Sequence, residues 1–163
     1  MKRFLLVLAL IAATGAVSVA EPLIFIVRHA EKATNDPKDP DLSRGGQERA
    51  EWLAATLKDA GVSAIYTTEF KRTKETAEPL SRAAHVDVTV VAANDTAALI
   101  ATLKEARGNA LVVAHSNTIP EILKALGVTA SVALADNDYN DLFVVAQGSP
   151  PSFARLHLPT TGD

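Results

Sequence analysis

Apolar and polar positions fall into blocks whose period changes along the chain. Leu23 to Val27 is an unbroken apolar run, rich in β-branched and aromatic types, that stops abruptly at Arg28-His29. A short run of that kind predicts a strand buried on both faces, as in a parallel sheet. Thr34 to Asp41 follows as a polar loop punctuated by Pro37 and Pro40. From Gln47, apolar residues recur at helical spacing (Ala50, Leu53, Ala54, Leu57), with Gly61 placed to end the helix. Ala64 to Thr68 predicts the second strand. It opens into a helix starting near Phe70 or Lys71 that Pro79 should kink or divide. Val86 to Val91 predicts a third strand, and Asp95 is placed to cap a helix carrying Leu99, Ile100, Leu103 and Ala106, closed by Gly108.

Ala110 to Ala114 repeats the opening pattern: a buried strand that ends in a histidine, His115. Thr118-Ile119-Pro120-Glu121 has the form of a capping box, and its helix should end at Gly127. Leu142–Ala146 and Phe153–Leu158 flank a Gly-Ser-Pro-Pro turn and read as an antiparallel pair. Strands alternate with helices, there are no internal repeats, and no interior linker is visible. The expected fold is a three-layer α/β sandwich: a mostly parallel central sheet, helices on both faces and an antiparallel edge hairpin.

Composition changes the picture at the amino terminus. Met1-Lys2-Arg3 is a basic start, Phe4 to Ala13 an apolar core, and Ser18-Val19-Ala20 a small-x-small ending. This is the pattern of a secretory signal peptide over residues 1–20, with the domain occupying 21–163. The apolar core is short for a spanning helix, so the mature protein is expected to be periplasmic or secreted, with no stable membrane insertion. Removing Lys2 and Arg3, with no acids in the leader, takes the formal charge from -3 to -5. A mildly acidic domain without a basic run is a poor nucleic-acid binder. The absence of cysteine rules out thiol catalysis, a lipoprotein anchor and Cys-ligated zinc.

Strands of an open parallel sheet present their carboxyl ends on one rim, where ligands bind. His29 and His115 therefore come within reach of each other despite the long stretch of chain between them. A third strand-helix junction at Thr67-Thr68 delivers Arg72 to the same rim. Two arginines, two histidines and two helix amino termini would make a local anion-attracting pocket on an acidic protein. That suits a phosphate or phosphoryl group.

These residues carry a resemblance. Arg28-His29-Ala30-Glu31, Leu42-Ser43-Arg44-Gly45-Gly46, Tyr66 through Ala77 and Val112 through Asn117 resemble, in order, the blocks of the phosphoglycerate-mutase-like branch of the histidine phosphatase superfamily. Ala30 stands where that family usually has glycine. The resemblance implies that His29 attacks phosphorus in line and forms a phosphohistidine that water hydrolyses, with no metal or other cofactor. Arg28, Arg72 and His115 would bind the oxygens on which charge spreads. His29 must be neutral to attack, which burial and the two arginines favour, provided an acceptor holds its other nitrogen.

Asn35 matches the family's asparagine position but equally suits a turn. Ser116 and Asn117 are candidates for substrate contact or helix capping. The acid that protonates the leaving group stays open among Glu31, Glu69 and Asp95, with capping an alternative role for Asp95. Asp136 to Asp141 forms a polar loop with Tyr139 at the pocket rim. Asp36, Asp39 and Asp41 form an acidic rim expected to repel highly phosphorylated ligands. The implied activity is hydrolysis of a small phosphomonoester. A silent phosphate- or phosphosugar-binding envelope protein and a phosphomutase are the alternatives. Nothing in the sequence speaks to oligomeric state.

Overall fold

A computed structural model describes residues 21–159. Residues 1–20, on which the expected leader falls, lie outside this range. Six strands form one sheet: β1 (Leu23–Arg28), β2 (Val62–Thr67), β3 (Val88–Val90), β4 (Asn109–Ala114), β5 (Asp141–Ala146) and β6 (Ser152–His157). Four helices connect them: α1 (Arg44–Leu57), α2 (Lys71–Ala84), α3 (Thr96–Lys104) and α4 (Ile119–Ala125). The sheet order is β3-β2-β4-β1-β5-β6. The first four positions pair in parallel, while β5 runs antiparallel to both β1 and β6.

The alternation within β1 sorts the core into two halves. Ile24 and Ile26 face one side with Val112, Phe143, Leu103, Ile119 and Ile122, beneath α3 and α4. Phe25 and Val27 face the other with Leu111, Val113, Leu53, Leu57 and Leu80, beneath α1 and α2. Each inner strand is covered on both faces, which is why β1 and β4 read as continuous apolar runs. The expected three-layer architecture and its antiparallel edge are both present.

Several local expectations differ in detail. α1 starts at Arg44, one turn before the first periodic residue, because the Ser43 hydroxyl accepts from the Gly46 amide and caps the helix. Its last residue is Leu57. Gly61, at φ +63°, turns the chain into β2 instead. Pro79 does not divide α2, which runs through it as a single helix. β3 covers only three residues, and Val90 is half exposed, as befits a sheet edge. Asp95 caps α3 as expected, its carboxylate accepting from the Ala98 amide at 3.1 Å. α3 stops at Lys104, before Gly108. The capping box of α4 does not form. The Thr118 hydroxyl bonds the His115 backbone instead, on both its N–H and its carbonyl side at 3.2 Å.

Gly46 has a structural role that its conformation does not reveal. A Cβ at this position would collide with the backbone carbonyl of Glu31. The first turn of α1 thus presses on the segment just after His29. The obstacle is backbone and cannot rotate away. A Gly46→Ala change should therefore cost about 1–3 kcal/mol from overpacking, outweighing the gain of at most about 1 kcal/mol in helix propensity. Urea denaturation should show a lower midpoint with an unchanged slope.

Candidate functional site

The pairing of β1 with β4 builds the centre of the site. Arg28 lies opposite Ala114, and the His29 amide donates to the Ala114 carbonyl at 3.0 Å. The two parallel strands therefore release His29 and His115 at the same level. Their ring centroids are 5.4 Å apart at an interplanar angle of 62°. β2 flanks β4 on its other side, and its carboxyl end leads into α2, which supplies Arg72 in its first turn. An open cleft of about 380 Å³ at this rim is lined by Arg28, His29, Arg72, His115, Ser116 and Asn117, and also by Lys32, Phe70 and Asp136.

The two histidines are kept neutral by their surroundings. His29 is 4 % exposed. Burial pushes its pKa down to about 3, helped by His115, Arg28 and Arg72 and opposed by the Ala30 carbonyl. That carbonyl lies 2.8 Å from Nδ1. A carbonyl only accepts, so Nδ1 carries the proton and Nε2 keeps its lone pair. His115 is held down to about 4, chiefly by burial and then by Arg72. Its Nε2 sits 3.1 Å from the Thr68 hydroxyl, which in turn lies 2.9 Å from the Thr73 hydroxyl.

Each arginine is braced against an aromatic ring. The Arg28 guanidinium stacks on Tyr139 at 4.2 Å, and its Nη1 donates to the carbonyls of Ala135, Asp136 and Asp138 at 2.9, 3.0 and 3.3 Å. Arg72 stacks on Phe70, also at 4.2 Å. Among the described residues, the Nε atoms of these two arginines are the buried side-chain nitrogens that have no hydrogen-bond partner. Leaving a buried charged donor unpaired is costly, so the arrangement is suited to an incoming anion.

The three candidate acids do not line the cleft. The Glu31 carboxylate receives the Arg49 guanidinium through Nε and Nη2. Arg49 also donates to the Pro159 carbonyl at 3.0 Å, so this pair ties α1 to the end of β1 and to the carboxyl-terminal segment. Glu69 accepts from the Ala93 amide at 2.8 Å. Backbone N–H groups, its own first, hold its pKa below the ordinary value and keep it ionised. Asp95 lines a separate small crevice beside Thr68 and Leu99 and is occupied as a cap. Asn35 is also drawn elsewhere: its amide donates to Asp41 at 2.6 Å, bracing the 32–41 loop, and it is not among the cleft residues.

Sequence reasoning missed the buried hydroxyls. The Ala30 amide donates to the Thr76 hydroxyl at 2.9 Å, and that hydroxyl donates to the Arg72 carbonyl at 2.7 Å. Thr73 and Thr76 are almost fully buried. The signal was three threonines around the first turn of an otherwise charged helix, one of them on the strand-helix junction. Among the described residues, no group of three His, Asp or Glu side chains is placed to hold a metal ion, and no helix is long and apolar enough to cross a membrane.

Residues 24–95 match the family model of the histidine phosphatase superfamily (branch 1). This match supports assigning the chain to the histidine phosphatase superfamily. None of the curated proteins matches the sequence. Among solved structures, the chain is similar to the protein histidine phosphatase SixA complexed with tungstate, at 17 % identity and a TM-score of 0.70, covering 83 % of this chain and 96 % of that one. It is also similar to mycobacterial glucosyl-3-phosphoglycerate phosphatase in complex with inorganic phosphate, at 14 % identity and a TM-score of 0.66, covering 86 % and 98 %. At these identities the likeness establishes the histidine phosphatase fold.

The depressed histidine pKa values make acid stability a readout of the site. Between pH 6.5 and about 4, unfolded chains take up protons at positions 29 and 115 that the native site refuses. Stability is therefore unaffected by these groups above pH 6.5 and falls as pH drops below it, by at most about 1.4 kcal/mol per pH unit for each group. Urea midpoints compared at pH 7 and pH 4.5 should show this loss, and His29→Asn should show less of it. NMR of the imidazoles should find no titration at His29 or His115 between pH 8 and 5.

Proposed function

We propose that this chain is an exported phosphatase that hydrolyses a small phosphomonoester through a phosphohistidine on His29. The observation that carries the reading is the convergence, on one rim, of a neutral histidine with a free Nε2 lone pair and two guanidinium groups whose buried Nε atoms are unpartnered. The match to the superfamily model supports phosphatase activity, and the leader pattern of residues 1–20 supports export.

In the proposed reaction, Arg28 and Arg72 draw the phosphoryl oxygens into the cleft beside His115. The Nε2 lone pair attacks phosphorus opposite the ester oxygen. The P–O bond breaks, its electron pair stays on the leaving oxygen, and a proton taken up there yields the alcohol. Water then attacks the phosphohistidine, phosphate departs, and the lone pair returns to Nε2. The arginines stabilise charge that spreads over the equatorial oxygens, a role suited to rigid, permanently charged forks. The Ala30 carbonyl holds the imidazole as the Nδ1–H tautomer throughout, and that hydrogen bond strengthens while the ring carries the phosphoryl group.

Purified residues 21–163 with EDTA present should hydrolyse p-nitrophenyl phosphate, and His29→Ala should abolish turnover. Acid-labile, base-stable phosphate on His29 in quenched wild-type enzyme should accompany it. Absence of turnover in the wild type from acid to neutral pH, together with phosphate binding that survives in His29→Ala, would favour a silent binding protein. Amino-terminal sequencing of the secreted form should begin at Glu21.

A further inference from the structure

The loop between β1 and α1 carries three aspartates, and the structure gives each a different role. Asp36 accepts from the backbone amides of Lys38 and Asp39 at 2.8 and 3.2 Å, which folds the loop back on itself. Asp41 is held by Lys71 Nζ at 3.0 Å and by Asn35. Both are engaged in shaping the loop. Asp39 does not line the cleft itself but is the one that this shape places beside Arg72, which does. Its Oδ1 accepts from the Lys71 amide at 3.0 Å, and it lies 3.7 Å from Nη1 of Arg72. Phe70, at the helix N-cap, supplies no side-chain cap, so Asp39 serves that end of α2 from another segment.

Asp39 thus stands where a second anionic group reaching past Arg72 would otherwise find both a helix amino terminus and an arginine. The Asp39 and Arg72 side chains are 34 % and 15 % exposed, so solvent screens their interaction only in part. The other charged groups lining the cleft, beyond the two arginines, are Lys32 and Asp136, one of each sign. Arg28 and Arg72 together match one phosphoryl dianion. A further negative charge on the leaving group would meet the Asp39 carboxylate.

We propose that Asp39 is a specificity-determining residue: it selects phosphomonoesters whose leaving group is neutral or cationic and rejects those carrying a second anionic group beside the phosphoryl. This rests on the phosphatase reading above. Asp39 discriminates by repulsion, at no loss of contact to the phosphoryl group itself.

Asp39→Asn tests it cleanly, because the amide oxygen still accepts from Lys71 and only the charge is removed. Wild type and variant, matched for thermal midpoint, would be assayed with phosphoethanolamine, p-nitrophenyl phosphate and 3-phosphoglycerate, whose leaving groups are cationic, neutral and anionic. The variant's kcat/KM for 3-phosphoglycerate should rise about tenfold relative to phosphoethanolamine, and the wild-type preference should shrink with added salt. An unchanged ratio, with turnover intact, would overturn the role of Asp39 and leave the phosphatase reading standing. If none of the three esters turns over, that reading fails. Calorimetric binding of the same esters then decides on Asp39: the same shift in charge preference upholds it, and identical preference in both proteins refutes it.

Discussion

Parallel pairing of β1 with β4 is the constraint on which the rest depends. Because Arg28 lies opposite Ala114, the residues that follow, His29 and His115, leave the sheet side by side. Neither histidine is near the other in the chain, and no loop has to be ordered to bring them together. The register itself is enforced by burial. A slip of one residue would turn Ile24 and Ile26 toward α1 and α2 and Phe25 and Val27 toward α3 and α4, breaking both halves of the core. The hydrophobic effect thus acts on the chemistry indirectly, by holding two backbone ends level.

Burial then has opposite consequences for the two kinds of side chain at the rim. It drives the imidazoles to their neutral forms, which leaves a nucleophilic nitrogen at any ordinary pH. Arginine does not deprotonate and has to be accommodated as a cation. The structure does this with ring faces and backbone carbonyls, Tyr139 and three loop carbonyls for Arg28 and Phe70 for Arg72, while Asp39 stands off from Arg72 at 3.7 Å. A carboxylate salt bridge of short range would neutralise the arginines in advance. Ring quadrupoles and peptide dipoles stabilise them while leaving their charge available to an anion.

Much of this was legible in the chain. Two apolar runs ending in histidine, and a strand-helix junction followed by Arg72, point to a shared rim because strand ends in a parallel sheet must lie together. What was not legible depends on tertiary approach. Gly46 carries no local signal that it touches the Glu31 backbone. Thr118 and Glu121 have the spelling of a capping box, but the Thr118 hydroxyl is taken by the His115 backbone. Asn35 sits at the right motif position and still turns toward Asp41. In each case two roles were compatible with the residue type, and long-range geometry selected one.

The acids make the same point with more consequence. Glu31, Glu69 and Asp95 all lie close to the rim in sequence, and each was a chemical candidate. Each carboxylate is instead engaged structurally, Glu31 by an arginine on α1, Glu69 by an amide after β3 and Asp95 by the first turn of α3. At Glu69, hydrogen bonds from backbone N–H groups hold the pKa below its ordinary value, which makes it a poor proton donor. The rim therefore combines neutral imidazoles and permanently charged guanidinium groups, with peripheral carboxylates engaged in structural contacts. A site so composed is better suited to stabilising negative charge on phosphoryl oxygens than to donating a proton.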